Sequence, residues 1–206
     1  MRKLIVTNIV SLDGYYEGPG NNVMALPMDP SFDAYNLERL RSAETLLVGR
    51  RSYEGFKGFW APLADAPDAA AVFQDDAQRR EVLREISRRN NAIEKVVVSD
   101  SLTADQTAPW TDTTRIVPRG RAHAAIAELK AGDGGDILVF GSRTLWNDLL
   151  AAGLVDELHL MVGAVVLGGG TPAFGDQKVG PLRLIDSRSF EGSDNLLIRY
   201  DARPVA

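Results

Sequence analysis

The stretch Thr45–Phe56, TLLVGRRSYEGF, sets the architecture. Thr45 to Val48 form a compact apolar run that stops at Gly49, and Arg50-Arg51-Ser52-Tyr53-Glu54 opens a helical pattern at once, so the chain passes from a buried strand straight into a helix. A strand apolar on both faces belongs in a parallel sheet covered by helices. The same form recurs at Asp136–Phe140 (DILVF), stopped by Gly141 and followed by a helix over Thr144–Ala152 that Gly153 closes.

Working outward, Lys3–Val10 reads as a buried strand ended by the turn Ser11-Leu12-Asp13-Gly14. The turn residues Gly18–Asn22, then Pro27 and Pro30, lead into a helical pattern from Phe32 through Leu37, Leu40 and Arg41. Trp60–Asp76, rich in Ala, Pro and Asp, reads as a surface excursion, and Arg79–Ile93 as an amphipathic helix with Val82, Leu83, Ile86 and Ile93 near one face. Val96–Val98 and Arg115–Val117 are further strands, and Ala122, Ala125, Ile126 and Leu129 mark a helix ended at Gly132. From Glu157 the rhythm changes: Glu157–Val162, Leu182–Asp186 and Asn195–Tyr200 read as strands without helices between them, which predicts antiparallel pairing at a sheet edge. The expected class is α/β, a mixed and mostly parallel central sheet with helices on both faces and antiparallel C-terminal strands. With no internal repeat and no linker, residues 1–206 are expected to form a single domain.

Composition narrows the chemistry. The 206 residues, 45% hydrophobic and 25% charged, are those of an ordinary globule, and the absence of cysteine removes disulfides, thiolate metal sites and thiol nucleophiles. Against 28 Asp plus Glu, 23 Lys plus Arg give a net charge of -5, the wrong sign for a nucleic-acid binder. No apolar run is long enough for a membrane span, and Met1–Asn8 is too short an apolar start for a secretory leader, so a cytoplasmic, bacterial-style protein is expected. His123 and His159, the two histidines, stand far apart, and no acidic run has calcium-loop spacing, so no metal is expected.

In α/β sheets ligands bind beyond the carboxyl ends of the strands, where helix N-termini present free N–H groups. At Gly49-Arg50-Arg51-Ser52 a tight turn, a hydroxyl and two guanidinium groups suit an anion; the same residues also read as a glycine turn with a serine cap and two solvated arginines. Gly141-Ser142-Arg143-Thr144 has the same make-up, and two such junctions suggest a ligand with several phosphates. Neither fits the P-loop or the dinucleotide fingerprint GxGxxG. Gly168-Gly169-Gly170 is a third glycine run, either a ligand contact or a flexible turn.

These motifs in order, SLDG (Ser11–Gly14), TLLVGRRSYEGF, VVVSDSL (Val96–Leu102), ILVFGSRTL (Ile137–Leu145), GLVDELHL (Gly153–Leu160) and LGGGTPAF (Leu167–Phe174), resemble the dihydrofolate reductase superfamily, and within it the group related to the reductase domain of bifunctional riboflavin-biosynthesis enzymes. The likeness runs from about Lys3 to Phe174. It implies a three-layer NADPH-binding fold in which Gly49, Arg50, Arg51 and Ser52 hold phosphates and Ser99 lies beside the adenosine ribose. Gly141, Ser142, Arg143, Thr144 and Leu145 would form the turn passing under the pyrophosphate toward the nicotinamide. The chain departs from the superfamily at Phe140-Gly141-Ser142, where dihydrofolate reductases carry a run of glycines.

Hydride transfer to a C=N or C=O carbon usually needs an acid beside the neighbouring heteroatom. Asp13 matches the strand-end acid of the riboflavin-reductase group, and Asp29 and Asp33 lie where dihydrofolate reductases place a substrate carboxylate, although Leu26-Pro27-Met28-Asp29-Pro30 only approximates that motif. Asp13 reads equally as turn chemistry and Asp33 as a first-turn helix acid. Trp60, with Phe140, is the candidate rim for a small planar substrate, against the plainer reading that such aromatics pack a core. His159 reads as a sheet-face or interface residue, and Asp156-Glu157 as ordering the turn into its strand.

The leading expectation is therefore an NADPH-dependent reductase of a small heteroaromatic, imine or carbonyl substrate, with folate reduction itself disfavoured by the missing motif. A dinucleotide-binding module without turnover is the rival, and a flavin-binding redox protein a third reading. The resemblance also implies a homodimer touching through the antiparallel edge strands.

Overall fold

In the computed structural model the structure describes residues 1–65 and 76–204. They divide into two compact units that interleave along the chain, one of Met1–Arg2 with Asp33–Leu138 and one of Lys3–Phe32 with Val139–Ala206.

The first unit holds four parallel strands in the order β5 (Thr114–Val117), β4 (Glu94–Val98), β3 (Ala43–Gly49), β6 (Asp136–Phe140), the last two residues of β6 belonging to the second unit. Leu46, Leu47, Val48, Val96 and Val97 are all buried, the two-sided burial that the apolar runs predict. The register aligns Gly49 with Val98 and Val98 with Val117, so the three strands end level and the turns after them share one edge. Around these strands come most of α1 (Pro30–Ser42), then α2 (Arg50–Leu63), α3 (Ala77–Ala92) and α4 (Ala122–Ala131).

α2 runs further than the sequence suggested, taking in Trp60 and Pro62. Its last carbonyls, which no later turn of helix can satisfy, receive side chains from α3: Ser87 Oγ donates to Trp60 O, and Asn91 Nδ2 to Ala61 O at 3.2 Å. The expected excursion over 60–76 is thus helix at its start, and 66–75 lie outside the described residues. α3 is capped by Asp76, whose carboxylate accepts from Arg79 N at 2.8 Å, and buries Leu83 and Ile86.

In the second unit β1 (Leu4–Ser11) lies parallel to β7 (Glu157–Gly163), and β10 (Leu196–Asp201) and β9 (Arg183–Ser189) follow antiparallel, as the strand-only tail predicts. Asp156 joins the starts of β1 and β7, its Oδ2 accepting from Leu4 N at 2.7 Å and its own N–H donating to Leu4 O. α5 (Arg143–Ala151) buries Trp146, Leu149 and Leu150. A small two-stranded sheet, β2 (Tyr15–Glu17) with β8 (Thr171–Pro172), has no counterpart in the sequence reading. Among the described residues no helix is long and apolar enough to cross a membrane.

Candidate functional site

In the first unit the level strand ends place three turns side by side: Gly49–Arg51 after β3, Ser99–Ser101 after β4 and Pro118–Arg121 after β5. Gly49, the N-cap of α2, has no side chain with which to cap the first amides of the helix. Gly49 has φ -84, which any residue adopts, and a Cβ built on it meets nothing within 4 Å. Neither backbone strain nor packing inside the protein explains a glycine there; what it provides is close access to the positive end of a helix.

Arg50 ties two of the turns together. Its Nε donates to Glu54 Oε1 at 2.8 Å, and Nη1 to Ser101 O and Oγ at 2.8 and 2.9 Å. Arg51 is exposed and Ser52 half-buried. Ser99 is buried, and its Oγ accepts from the N–H groups of Ser101 and Leu102 at 3.1 and 3.0 Å, so it shapes the turn after β4 from within. Two cations the sequence reading missed, Arg119 and Arg121, stand exposed on the neighbouring turn, where Arg119 N donates to Asp100 Oδ1 at 2.9 Å. Their signal was present as Pro118-Arg119-Gly120-Arg121 directly after a strand, but only the parallel register shows that this strand ends level with β3 and β4.

Trp60 is not at this edge. Eleven residues after Gly49 along α2 place it about 16 Å away along the helix axis, with its ring edge-to-face on Phe59 at 4.7 Å. Asp33 is buried on α1 and paired with Arg79 Nε at 2.7 Å, which makes it a helix-to-helix tie.

In the second unit the mouth lies beyond β1, β6 and β7. Gly141 and Ser142 both take left-handed conformations, φ 58 and 56, an arrangement a serine adopts at a cost of about 1 kcal/mol, and Asn8 Oδ1 holds the turn by accepting from Gly141 N at 2.8 Å. Ser142 is the N-cap of α5 but makes no side-chain cap bond, so here too the first amides lack one. Arg143 turns its guanidinium away from that start, Nε donating to Pro172 O and Nη2 to Phe174 O at 2.9 Å. Asn147 completes the brace, with Nδ2 donating to Ala173 O at 3.0 Å and Oδ1 accepting from Gly175 N at 2.7 Å. Arg143, exposed Thr144 and Asn147 line a cavity of about 670 Å³ together with Phe174, Asp176 and Gln177. Leu145 and Phe140 are half-buried beside that turn.

Asp13 does reach the mouth of β1, but with its acceptors occupied. Ser11 Oγ donates to it at 2.6 Å, Gly168 N at 2.8 Å and Leu167 N at 3.1 Å. The Ser11 hydroxyl first, then the Gly168 and Leu167 amides, outweigh slight burial and hold the carboxyl below its ordinary value, so it is ionised at neutral pH. Two glycines of the run thus have an internal explanation: Gly168, φ 66, gives its amide to Asp13 from a left-handed turn, and a Cβ on Gly170, φ 124, would sit 2.2 Å from Glu17 O, so the chain enters β8 beside β2 only as glycine. Asp29 is likewise a cap, accepting from Ser31 N and Phe32 N at 3.0 and 3.1 Å at the start of α1 and from Ser193 Oγ. His159 is wholly buried on β7, bonded to Glu157 Oε2 at 2.8 Å.

With this order of strand-end turns in view, comparison with known families is decisive: the RibD C-terminal domain matches residues 2–198. The chain belongs to the RibD C-terminal domain family. Among similar proteins, YyaP, an uncharacterized protein of Bacillus subtilis (strain 168), is 29% identical over 191 residues, covering 92% of this chain and 89% of that protein. A riboflavin biosynthesis protein of Shewanella sp. PV-4 superposes with TM-score 0.66 at 22% identity, over 97% of this chain and 98% of the other. Dihydrofolate reductase of Enterococcus faecalis, solved with NADP(H), gives TM-score 0.55 at 13% identity, over 97% and 95%. The fold is therefore the dihydrofolate reductase-like α/β fold that this family shares.

Proposed function

We propose that this member of the RibD C-terminal domain family is an NADPH-dependent reductase that transfers hydride to a small heteroaromatic, imine or carbonyl substrate. The observation that carries the reading is the turn after β3, where Gly49, on which a Cβ would meet nothing within 4 Å, stands at the start of α2 beside Arg50 and Arg51. The family, and the NADP(H) bound by the E. faecalis reductase of like fold, support it.

The cofactor supplies the hydride when bound; the chain's own groups bind and orient. In the first unit the α2 amides and Ser52 take phosphate oxygens, and Arg51, Arg119 and Arg121 supply the charge that a 2′-phosphate requires. Arg50, clamped by Glu54 and Ser101, fixes the turn, and Ser99 shapes the neighbouring one. In the second unit Gly141–Leu145 would offer a phosphate-binding turn, with Arg143 acting through its brace on residues 172–174. Asp13, ionised, orients the mouth of β1 by holding the Gly168 and Leu167 amides, and the proton for the reduced heteroatom would come from solvent. Asp33 has no part in this scheme. The commitment of Asp13 to Gly168 and Leu167 is also the observation that favours the second reading, a binding module without turnover.

Thermal unfolding with NADPH, NADH and flavin mononucleotide in parallel tests the proposal. A ligand at 100 times its Kd stabilises the native state by about 2.7 kcal/mol, which for this size raises Tm by very roughly 5–10 °C. A shift with NADPH that is lost in Arg51→Ala/Arg119→Ala, with the smaller NADH shift unchanged, is expected. No shift at saturating NADPH overturns the assignment, and a shift without turnover of any substrate leaves the binding module.

A further inference from the structure

Asn8 stands out on β1. The strand reads LIVTNIVS, and the alternate positions that share a face with Asn8 are Leu4, Val6 and Val10, all buried, with Leu160 opposite on β7. Asn8 itself is 7% exposed. A side-chain amide among aliphatic neighbours needs partners at both ends, and Asn8 has one at only one end. Its Oδ1 accepts from Gly141 N at 2.8 Å, which fixes the way the amide faces, while Nδ2 is buried and meets no acceptor among the described residues. A valine at this position of the strand would leave no donor unpaired.

The turn that Asn8 holds is disfavoured as well. Gly141 and Ser142 are consecutive left-handed residues, and Ser142, φ 56 and ψ 42, is one of two non-glycine residues with positive φ among those described. From Arg143 onward the chain is right-handed helix. A left-handed residue next to a right-handed one turns successive backbone N–H groups to the same side, a concave arrangement that suits an anion. A serine leaves this conformation readily unless its neighbours hold it there. An unpaired buried donor at Asn8 and a disfavoured conformation at Ser142 therefore meet at one hydrogen bond, and neither adds to the core.

We propose that Asn8 is the positioning residue of the second-unit turn: through Gly141 it keeps Gly141 and Ser142 left-handed, so that the start of α5 is set for a phosphate group before the ligand arrives. Asn8 does not touch the ligand, because Gly141 takes its Oδ1 and its Nδ2 is buried. The inference rests on the cofactor reading of this turn and adds the residue that shapes it. No glycine or arginine pattern marks Asn8, which precedes Gly141 by 133 residues.

Calorimetric binding of NADPH and of adenosine 2′,5′-bisphosphate tests it, the second ligand needing only the first-unit turns. The proteins are wild type, Asn8→Val and Asn8→Val/Ser142→Gly. Asn8→Val is expected to unfold in urea close to the wild-type midpoint, since the lost bond is offset by removal of the unpaired donor. It binds the bisphosphate as wild type does and NADPH about tenfold more weakly, the upper range for one hydrogen bond. Hydrogen exchange at the Gly141 amide speeds up. Adding Ser142→Gly recovers roughly fivefold, because glycine takes a left-handed φ without the serine's cost. Asn8→Ala, which leaves space instead of filling it, carries the same binding and rescue expectations should valine crowd the strand. A merely structural Asn8 gives the reverse pattern, a clearly lower midpoint with NADPH affinity unchanged, and that result overturns the positioning role alone. A wild type that binds neither ligand overturns the cofactor reading and this inference with it.

Discussion

Lys95 gives the sharpest test of the energetics. Its side chain is wholly buried at the start of β4, its ammonium 4.4 Å from the Trp110 ring centroid and donating to Thr113 Oγ1 at 2.9 Å and Asn91 O at 3.2 Å. No carboxylate is among those partners, and burial pushes its pKa from 10.5 down to about 7. The native state therefore releases this proton more readily than the unfolded chain, and between about pH 7 and 10.5 the unfolded chain binds more protons. Stability rises with pH across that window and is independent of this group well below pH 7. Integrated from pH 7 to pH 8.5 the gain is on the order of 1–2 kcal/mol, which moves a urea midpoint by roughly 0.5–1 M. Lys95→Met keeps the volume and the contact with Trp110 but cannot titrate, so its midpoint lacks this rise. Urea unfolding of both proteins at the two pH values measures the difference. If wild type and Lys95→Met change by the same amount, the ammonium is not desolvated as the packing indicates.

Glu157 works in the opposite direction. Burial alone would raise its pKa, but hydrogen bonds from Lys3 and His159 and their charges bring it down to about 2, so its contribution is complete above about pH 4.5 and lost as pH falls toward 2. Glu157→Gln is expected to flatten the acid side of the stability profile in that interval, read by circular dichroism. Leu47→Ala, a fully buried deletion in the middle of β3, should cost about 2–5 kcal/mol in chemical unfolding. A cost under 1 kcal/mol would mean that the sheet interior repacks freely. Asp13→Ala removes the acceptor for the Gly168 and Leu167 amides, so hydrogen exchange at those two positions should speed up while β1 stays protected. Unchanged exchange there would remove Asp13 from its clamp role.

Period and punctuation were enough for the strands of the main sheet and for the existence of its helices, but not for the short β2–β8 pair or the end of α2. β3, β4 and β6 are short apolar runs bounded by turn residues, and such runs, buried on both faces, have few alternatives to a parallel sheet. The glycine-to-helix junctions were legible for the same reason, because a strand that stops at glycine and restarts as helix leaves amides exposed wherever it lies in the fold. The tertiary structure decided what each polar group does. Asp13 and Gly168 are 155 residues apart, and no local pattern reveals that one caps the other. Arg119 and Arg121 became site candidates only through the level ends of β3, β4 and β5. Trp60 stands away from the Gly49 edge because α2 continues past it, its final carbonyls held by α3. Apolar periodicity is a local property that hydrophobic burial enforces residue by residue, so the sequence determined the elements and their class. A carboxylate or guanidinium takes whichever partner the fold brings within 3 Å, and that choice belongs to the tertiary structure alone.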